Sequence, residues 1–466
     1  MSGDGSPGRR TVGAYALVTA LSVLASSAVS VVIPQLARDL ELDTSAAGWV
    51  LASFSVTFPI GTVLFGQLGD RLGPRRAWVW GAVLFVGGGT MAAVSPSFAP
   101  IVVGRLVQGV GAGAIPVLSL ARLARGGARQ RASRVGFLTA VVSIHSGAGP
   151  LLGGGLAGAV HWRATLALPL LTVLVAVPIW RDLPDTPQPG SDVDWPGAAF
   201  TFAAVAAPLL LLRQLAIGSS VGVWPLVVVS MAAIAGLVAR VRRRPSGFLR
   251  RDLITDPSLV GAGVAAMCLL AIYLGGMFAV PLLLTDALGW GPFQLGLAVL
   301  PAAAVGTVAA RLTGRHVRPA RWSLVAHAAV LAGLGGLVVI TFGGTPLAWV
   351  AGLCLLATAS MSAQVVHTTS VLRAPGEPQA NTAIGTFQLF LFSGGALGPI
   401  VVGAVAERTT VPTGVASSSV LLAGGIVLPL VLRRRGRRHH RPRSPLKVDL
   451  SMPPDEDLRA SPGGQA

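Results

Sequence analysis

Apolar stretches of about 19 residues or more, long enough to cross the hydrocarbon of a bilayer, recur along the chain with short polar or glycine-bearing breaks between them. They predict spans near 12–33, 47–68, 77–95, 99–121, 135–160, 164–180, 196–216, 221–240, 257–284, 293–311, 322–342, 346–367, 380–405 and 414–432. About fourteen helices follow. The sixth and seventh flank a Pro- and Asp-bearing loop from Arg181 to Trp195, where the pattern is weakest. The first run, Val12 to Ile33, lacks a small-residue cleavage site followed by a soluble stretch, so it reads as a retained helix rather than a signal peptide.

The polar breaks are not alike. Arg9 and Arg10, the 2–3 loop, the 4–5 loop (Arg122, Arg125, Arg129, Arg131, Arg134), the 8–9 loop (Arg240, Arg242 to Arg244, Arg250, Arg251), the 10–11 loop (Arg311, Arg315, Arg318, Arg321) and the tail Arg433 to Arg443 fall on one side. The opposite side has only Arg38, Arg163, Arg213 and Arg408 near it. The positive-inside bias makes the arginine-rich face cytoplasmic and puts both termini there, which requires an even number of spans.

Such a number divides as six plus two plus six. Gly306 to Arg321, with Arg311, Gly314 and Arg315, is a degraded copy of the hairpin around Gly66, and Gly394-Gly395-Ala396-Leu397-Gly398-Pro399 echoes Gly147-Ala148-Gly149-Pro150. The predicted organisation is a cytoplasmic N-terminus (1–11), a six-helix bundle (12–180), a linker with two inserted helices (181–256), a second six-helix bundle (257–432) and a basic, then disordered, cytoplasmic tail (433–466). The fold class is an all-α polytopic membrane protein.

Composition sharpens this in two ways. The 466 residues are 52% hydrophobic and 12% charged, with mean hydropathy +0.69, whereas a soluble domain carries about 25% charged residues. The net charge of +18 and pI near 11.7 do not point to nucleic acid, because the basic residues lie between apolar runs rather than on a soluble domain. The partners expected are the lipid bilayer and a small molecule. Cys268 and Cys354 fall inside predicted spans as small hydrophobes, and no disulfide is expected. No Gly-x-x-x-x-Gly-Lys loop occurs, Cys and His are not spaced for zinc, and no Ser, His and Asp set shares a soluble surface. The chain does not read as an enzyme, and no cofactor or metal is expected.

Three motifs carry the chemistry. Between spans two and three lies Gly66-Gln67-Leu68-Gly69-Asp70-Arg71-Leu72-Gly73-Pro74-Arg75-Arg76, a glycine-rich, mixed-charge turn. Its glycines allow close helix approach, and Asp70 can cap a helix end or pair with a cation. Span four carries Arg105-Leu106-Val107-Gln108-Gly109-Val110-Gly111-Ala112-Gly113. An arginine inside an apolar helix must face a partner or a watery cavity, and both a functional arginine and one bonded to backbone carbonyls fit. Span five carries Gly147-Ala148-Gly149-Pro150-Leu151-Leu152-Gly153-Gly154-Gly155. Glycines strip a helix face and the proline bends the rod, so close packing and a gating hinge both fit.

Together these resemble three signature motifs of the major facilitator superfamily. Trp49-Val50-Leu51-Ala52-Ser53-Phe54, Pro281-Leu282-Leu283-Leu284 and Gly289-Trp290-Gly291-Pro292, with Gln294, Gly296 and Leu300-Pro301, are similar to the fourteen-span drug:proton antiporters, over about residues 12–432. The resemblance implies a two-bundle fold and a monomeric secondary exporter of small molecules in the cell membrane, exchanging them for protons by alternating access. It also implies that Asp70 meets the N-terminal end of span thirteen near Asn381, or nearby arginines, as a cytoplasmic gate.

The chain departs from that family in span one, where Ala25 stands nine places before Pro34 in the position commonly held by an acid. No Asp or Glu lies mid-span: Asp70 is at a loop, and Asp286 and Glu407 are near span ends. His145, four places before Gly149, is therefore the leading candidate to carry a proton, with His327 and His367 behind it. Arg105, Gln108, Gly109 and His145 are the candidates for coupling or the substrate cavity. A facilitator or exchanger of an anionic or neutral solute, and a non-transporting sensor or scaffold, remain alternatives.

Overall fold

A computed structural model describes residues 9–42, 44–123, 127–183, 194–216, 222–290, 292–371, 380–406 and 409–425. Each of the fourteen predicted spans is helical where described: α1 (Arg9–Ser27), α2 (Thr44–Leu72), α3 (Pro74–Val94), α4 (98–123), α5 (Ala128–Ala159), α6 (162–182), α7 (Trp195–Ala216), α8 (Val223–Arg243), α9 (Pro257–Leu288), α10 (Pro292–His316), α11 (Trp322–Phe342), α12 (Pro346–Val371), α13 (Ala380–Ala406) and α14 (411–425). Ten are long and apolar enough to cross a membrane by length and composition alone. The other four are α1, α5, α6 and α14. Of these, α6 is broken by a 3-10 turn at Leu168–Leu171, and residues 426–432 of the last predicted span lie outside the described residues. The tail from 433 and Glu407 lie outside them too.

The ends of the helices follow their sequence. Prolines open α3, α9, α10 and α12, where the missing N–H is no loss. Gly73 takes φ 88° between α2 and α3, a backbone conformation open to glycine that lets the hairpin reverse tightly. Asp256 caps α9 through the Ser258 N–H at 2.9 Å.

Outward faces carry rows of exposed apolar side chains, such as Trp224, Val228 and Met231 on α8 and Leu324, Leu331 and Leu334 on α11. This is the surface lipid requires. Within each half the helices close on glycine. A Cβ at Gly149 or Gly153 of α5 would collide with Ser27 or with the Ala28 carbonyl that follows α1, and one at Gly394 or Gly398 of α13 with Met267 or Ala271 of α9. The internal echo noted in the sequence is thus one joint used twice.

The halves also meet through two crossings. On α2 and α13, a Cβ on Gly66 would sit 2.7 Å from the Asn381 carbonyl, and Thr62 Oγ1 donates to the Gly385 carbonyl at 3.0 Å. On α5 and α10, Gly136 faces Gly314, its would-be Cβ 2.8 Å from the Gly314 Cα. The inserted α7 packs Ala206 and Leu209 near Val56 of α2 and Ala396 and Leu397 of α13, beside the first crossing.

Candidate functional site

Between the halves lie two connected chambers. The larger, about 930 Å³ with its mouth, is lined by Ser22, Val23 and Ser26 of α1, Phe54, Ser55 and Phe58 of α2, Val142 of α5, Leu270, Tyr273 and Leu274 of α9, Met361 and Gln364 of α12, and Phe392, Gly395 and Ala396 of α13. The smaller, about 460 Å³, shares Ser22, Val23, Phe58, Val142, Gln364 and Phe392 and adds Thr19, Pro116, Leu120, Val135, Leu138, Thr139, Thr368 and Gln388. By helix register it lies nearer the arginine-rich face. Phe58 and Phe392 meet edge to face at 4.4 Å between the chambers. Among the described residues that line them, none carries a carboxylate, an imidazole or a cation.

The arginine-rich end is closed by Asp70. Its Oδ1 accepts from the Asn381 N–H at 3.2 Å and from Asn381 Nδ2 at 2.7 Å, while Oδ2 accepts from the Thr382 N–H at 2.9 Å and from the Thr382 hydroxyl. The first N–H groups of a helix have no partner within it, and the dipole there favours an anion. Asp70 of one half therefore caps α13 of the other. Gly66 and Gly69 allow the approach, since a Cβ at either would strike Asn381 or Leu118.

Of the hairpin arginines, Arg75 is bonded within its own half. Arg75 Nε donates to the Leu183 carbonyl at 2.9 Å and its guanidinium lies over Trp180. Arg71 and Arg76 are exposed at the helix ends.

Arg105 is fully buried but lies outside the residues lining the chambers. Its Nε donates to the Val50 carbonyl at 3.0 Å, Nη1 to Gln108 Oε1 at 2.7 Å, and its guanidinium stacks 4.7 Å over Phe54. Its charge is thus met by a backbone carbonyl and an amide rather than by a carboxylate of the described residues. Arg105 Nη2 and Gln108 Nε2 have no partner among the described residues. Gly109 packs on Thr57 and Phe54. This cluster supports the wall of the cavity through Phe54.

His145 is half-buried, its Nδ1 2.8 Å from the Val141 carbonyl. It continues the stripe Leu138, Val142, His145, Gly149 that turns α5 toward the cavity and α1. Gly154 meets nothing within 4 Å, so the packing face of span five is Gly149 and Gly153. Pro150 lies within α5, its side chain outside the described set. His327 is exposed.

Two polar nodes escaped sequence reasoning. Arg122 grips Asp182 with Nε at 2.7 Å and Nη2 at 2.9 Å, and the Tyr15 hydroxyl donates to the same carboxylate at 2.9 Å, tying α4, α6 and α1. Asp194, 2% exposed, accepts from Arg240 Nη2 at 2.6 Å and from the N–H groups of Gly197 at 3.1 Å and Phe248 at 3.2 Å. Burial works against its charge, but these bonds outweigh it and hold the carboxyl below its ordinary value. Gln67 Nε2 donates to the carbonyls of Gly247 at 3.1 Å and Phe248 at 2.9 Å, so the loop after α8 is fastened to the hairpin. Asp before Trp195-Pro196 is a legible helix start; its partner 46 residues away is not.

Comparison with known proteins agrees with this geometry. A methylenomycin A resistance protein of Streptomyces coelicolor is 27% identical over 422 residues, covering 86% of this chain and 88% of that one. The multidrug resistance protein Stp of Mycobacterium tuberculosis is 27% identical over 395 residues, covering 81% and 72%. The crystal structure of the human organic anion transporter MFSD10 (TETRAN) shares the fold, with TM-score 0.68 at 20% identity over 91% of this chain and 99% of that one. The Major Facilitator Superfamily profile matches residues 15–399. With that match spanning most of the chain, and with two bundles around a central cavity, the protein belongs to the major facilitator superfamily and is a membrane transporter rather than an enzyme.

Proposed function

We propose that the chain is a secondary active exporter, a proton-coupled antiporter of amphipathic or hydrophobic small molecules such as drugs or secondary metabolites, working by alternating access. The observation that carries this is the cavity itself: Phe54, Phe58, Tyr273 and Phe392 with Leu270, Leu274 and Met361 give an apolar and aromatic wall without a fixed charge. The names of the resistance proteins it resembles support the same direction. In this reading the arginine-rich face is cytoplasmic, and the seal through Asp70 makes this the outward-facing state. We assign proton coupling to His145, an imidazole on the α5 stripe that faces the cavity and can both accept and donate a proton.

The test is transport in everted vesicles with the pH gradient and the membrane potential imposed separately. Accumulation driven by the pH gradient, and lost in His145→Ala while substrate exchange persists, is the expected result. Gradient-independent exchange in the unmodified protein would overturn proton coupling, and absence of flux would overturn export.

A further inference from the structure

The smaller chamber differs from the larger in what it leaves unpaired. The Gln388 side chain, 3% exposed, makes no hydrogen bond among the described residues, and its Oε1 is wholly buried. Gln364, Thr368 and Thr139 line the same space, and none of their side chains is bonded within the described protein. Two carboxamides and two hydroxyls, from α5, α12 and α13, thus face one volume, with Gln388 buried and Gln364 half-buried. A buried polar group is almost always satisfied, so the Gln388 carboxamide oxygen is held for something that enters. Water can serve when the site is empty, but a ligand that displaces it must return the bonds.

Resting on the exporter reading, we infer that the smaller chamber is a head-group subsite and that the substrate is a neutral amphiphile. Its apolar or aromatic body lies among Phe54, Phe58, Tyr273 and Phe392. Its uncharged head, bearing both a donor and an acceptor as an amide or lactam does, is held by Gln364 and Gln388. A carboxamide pair offers both halves of such a match. An ionised head would be desolvated there without a counter-charge from any of the described lining residues. Gln388 is the specificity-determining residue, because of the two amides it is the more deeply buried.

The test is equilibrium binding to the purified full chain of three radiolabelled probes with a common phenylalkyl body: 4-phenylbutyl acetamide, 4-phenylbutyl trimethylammonium and 5-phenylpentanoate. The acetamide should bind at least about tenfold tighter than either ion, and Gln388→Leu or Gln364→Leu should each weaken it about three- to tenfold, the range of one hydrogen bond. Gln388→Glu, isosteric and so least disturbing to the fold, should reverse the order in favour of the ammonium probe. A native preference for an ion, no measurable acetamide binding, or unchanged preference in Gln388→Glu overturns the assignment. Export is scored separately in vesicles. The amide preference without export defeats the exporter reading alone, and export without the preference defeats the head-group subsite alone.

Discussion

Asp70→Asn is the most direct perturbation of the seal. The carboxylate accepts four hydrogen bonds, two on each oxygen, from the first residues of α13. A carboxamide keeps one accepting oxygen and turns an NH2 toward the backbone N–H that faced the other, so that bond is lost whichever way it rotates; the Thr382 hydroxyl or the Asn381 amide can turn to accept, but every bond that remains loses its charge assistance. Hydrogen bonds to charged groups contribute about 1.5–3 kcal/mol each. One bond lost at the low end, with the others weakened by about half on going from charged to neutral, gives at least about 3 kcal/mol, before any loss of attraction to the helix dipole. All of this exists only while α2 and α13 are together. The ratio of unsealed to sealed protein should therefore rise about a hundredfold.

A chemical readout registers such a change even when the unsealed state is minor. Thr368 is buried in the smaller chamber, and a cysteine there, in a Cys268→Ala, Cys354→Ala background, is reached from the arginine-rich face only when the seal opens. In everted vesicles, its reaction with a membrane-impermeant thiol reagent should accelerate by one to two orders of magnitude in Asp70→Asn. Transport should fall while insertion persists. A labelling rate within twofold of the parent, in normally inserted protein, would refute the reasoning.

Three further outcomes are expected. Gly149→Leu or Gly153→Leu drives a side chain into Ser27 or Ala28, an overpacking of about 1–3 kcal/mol, and should cut transport per inserted molecule at least tenfold; Gly154→Leu, which meets open space, should not. Arg105→Gln removes a charged hydrogen bond from the Val50 carbonyl and the stack on Phe54, so thermal stability in detergent should fall with no change in the order of affinity among charged probes; selective loss of an anionic probe would restore Arg105 to the binding site. Because the Asp194 carboxyl titrates below its ordinary 3.8, its contribution to stability is present above about pH 4 and is lost as pH falls through the lowered value; Asp194→Asn should flatten that acid limb of the unfolding curve.

How far the sequence reached depends on what each contact is made of. Helices were legible because lipid forces every span to satisfy its own backbone within an apolar run, and α6 reads weakly because it is broken around Pro169. The Asp70 contact was legible only through resemblance, since nothing in the letters around Asn381 announces a partner 311 residues earlier. A backbone carbonyl was one of the two readings open for Arg105, but which carbonyl could not be read, since Val50 lies 55 residues away and its carbonyl carries no letter of its own. Gln364 and Gln388 were in plain view inside apolar spans, but a search for titratable groups passes over amides, and only their unmade hydrogen bonds single them out.

The seal is not made by the two bundles alone. Phe248, in the loop that follows α8, is fully buried in one apolar cluster with Ile60 and Val63 of α2 and Leu389 of α13, so both halves and the loop between them contribute to it. The same loop is held to the hairpin by Gln67 and to α7 by Asp194. Separation of α2 from α13 must therefore strip Phe248 of one set of its neighbours, at a cost comparable to uncovering a core aromatic. Asp70 and Phe248 act on one seam by different physics, one through directed hydrogen bonds and the other through buried area. The proposed alternating-access cycle would have to move α7 and α8 or break their loop free, because that loop is bonded to the hairpin and buried against both α2 and α13.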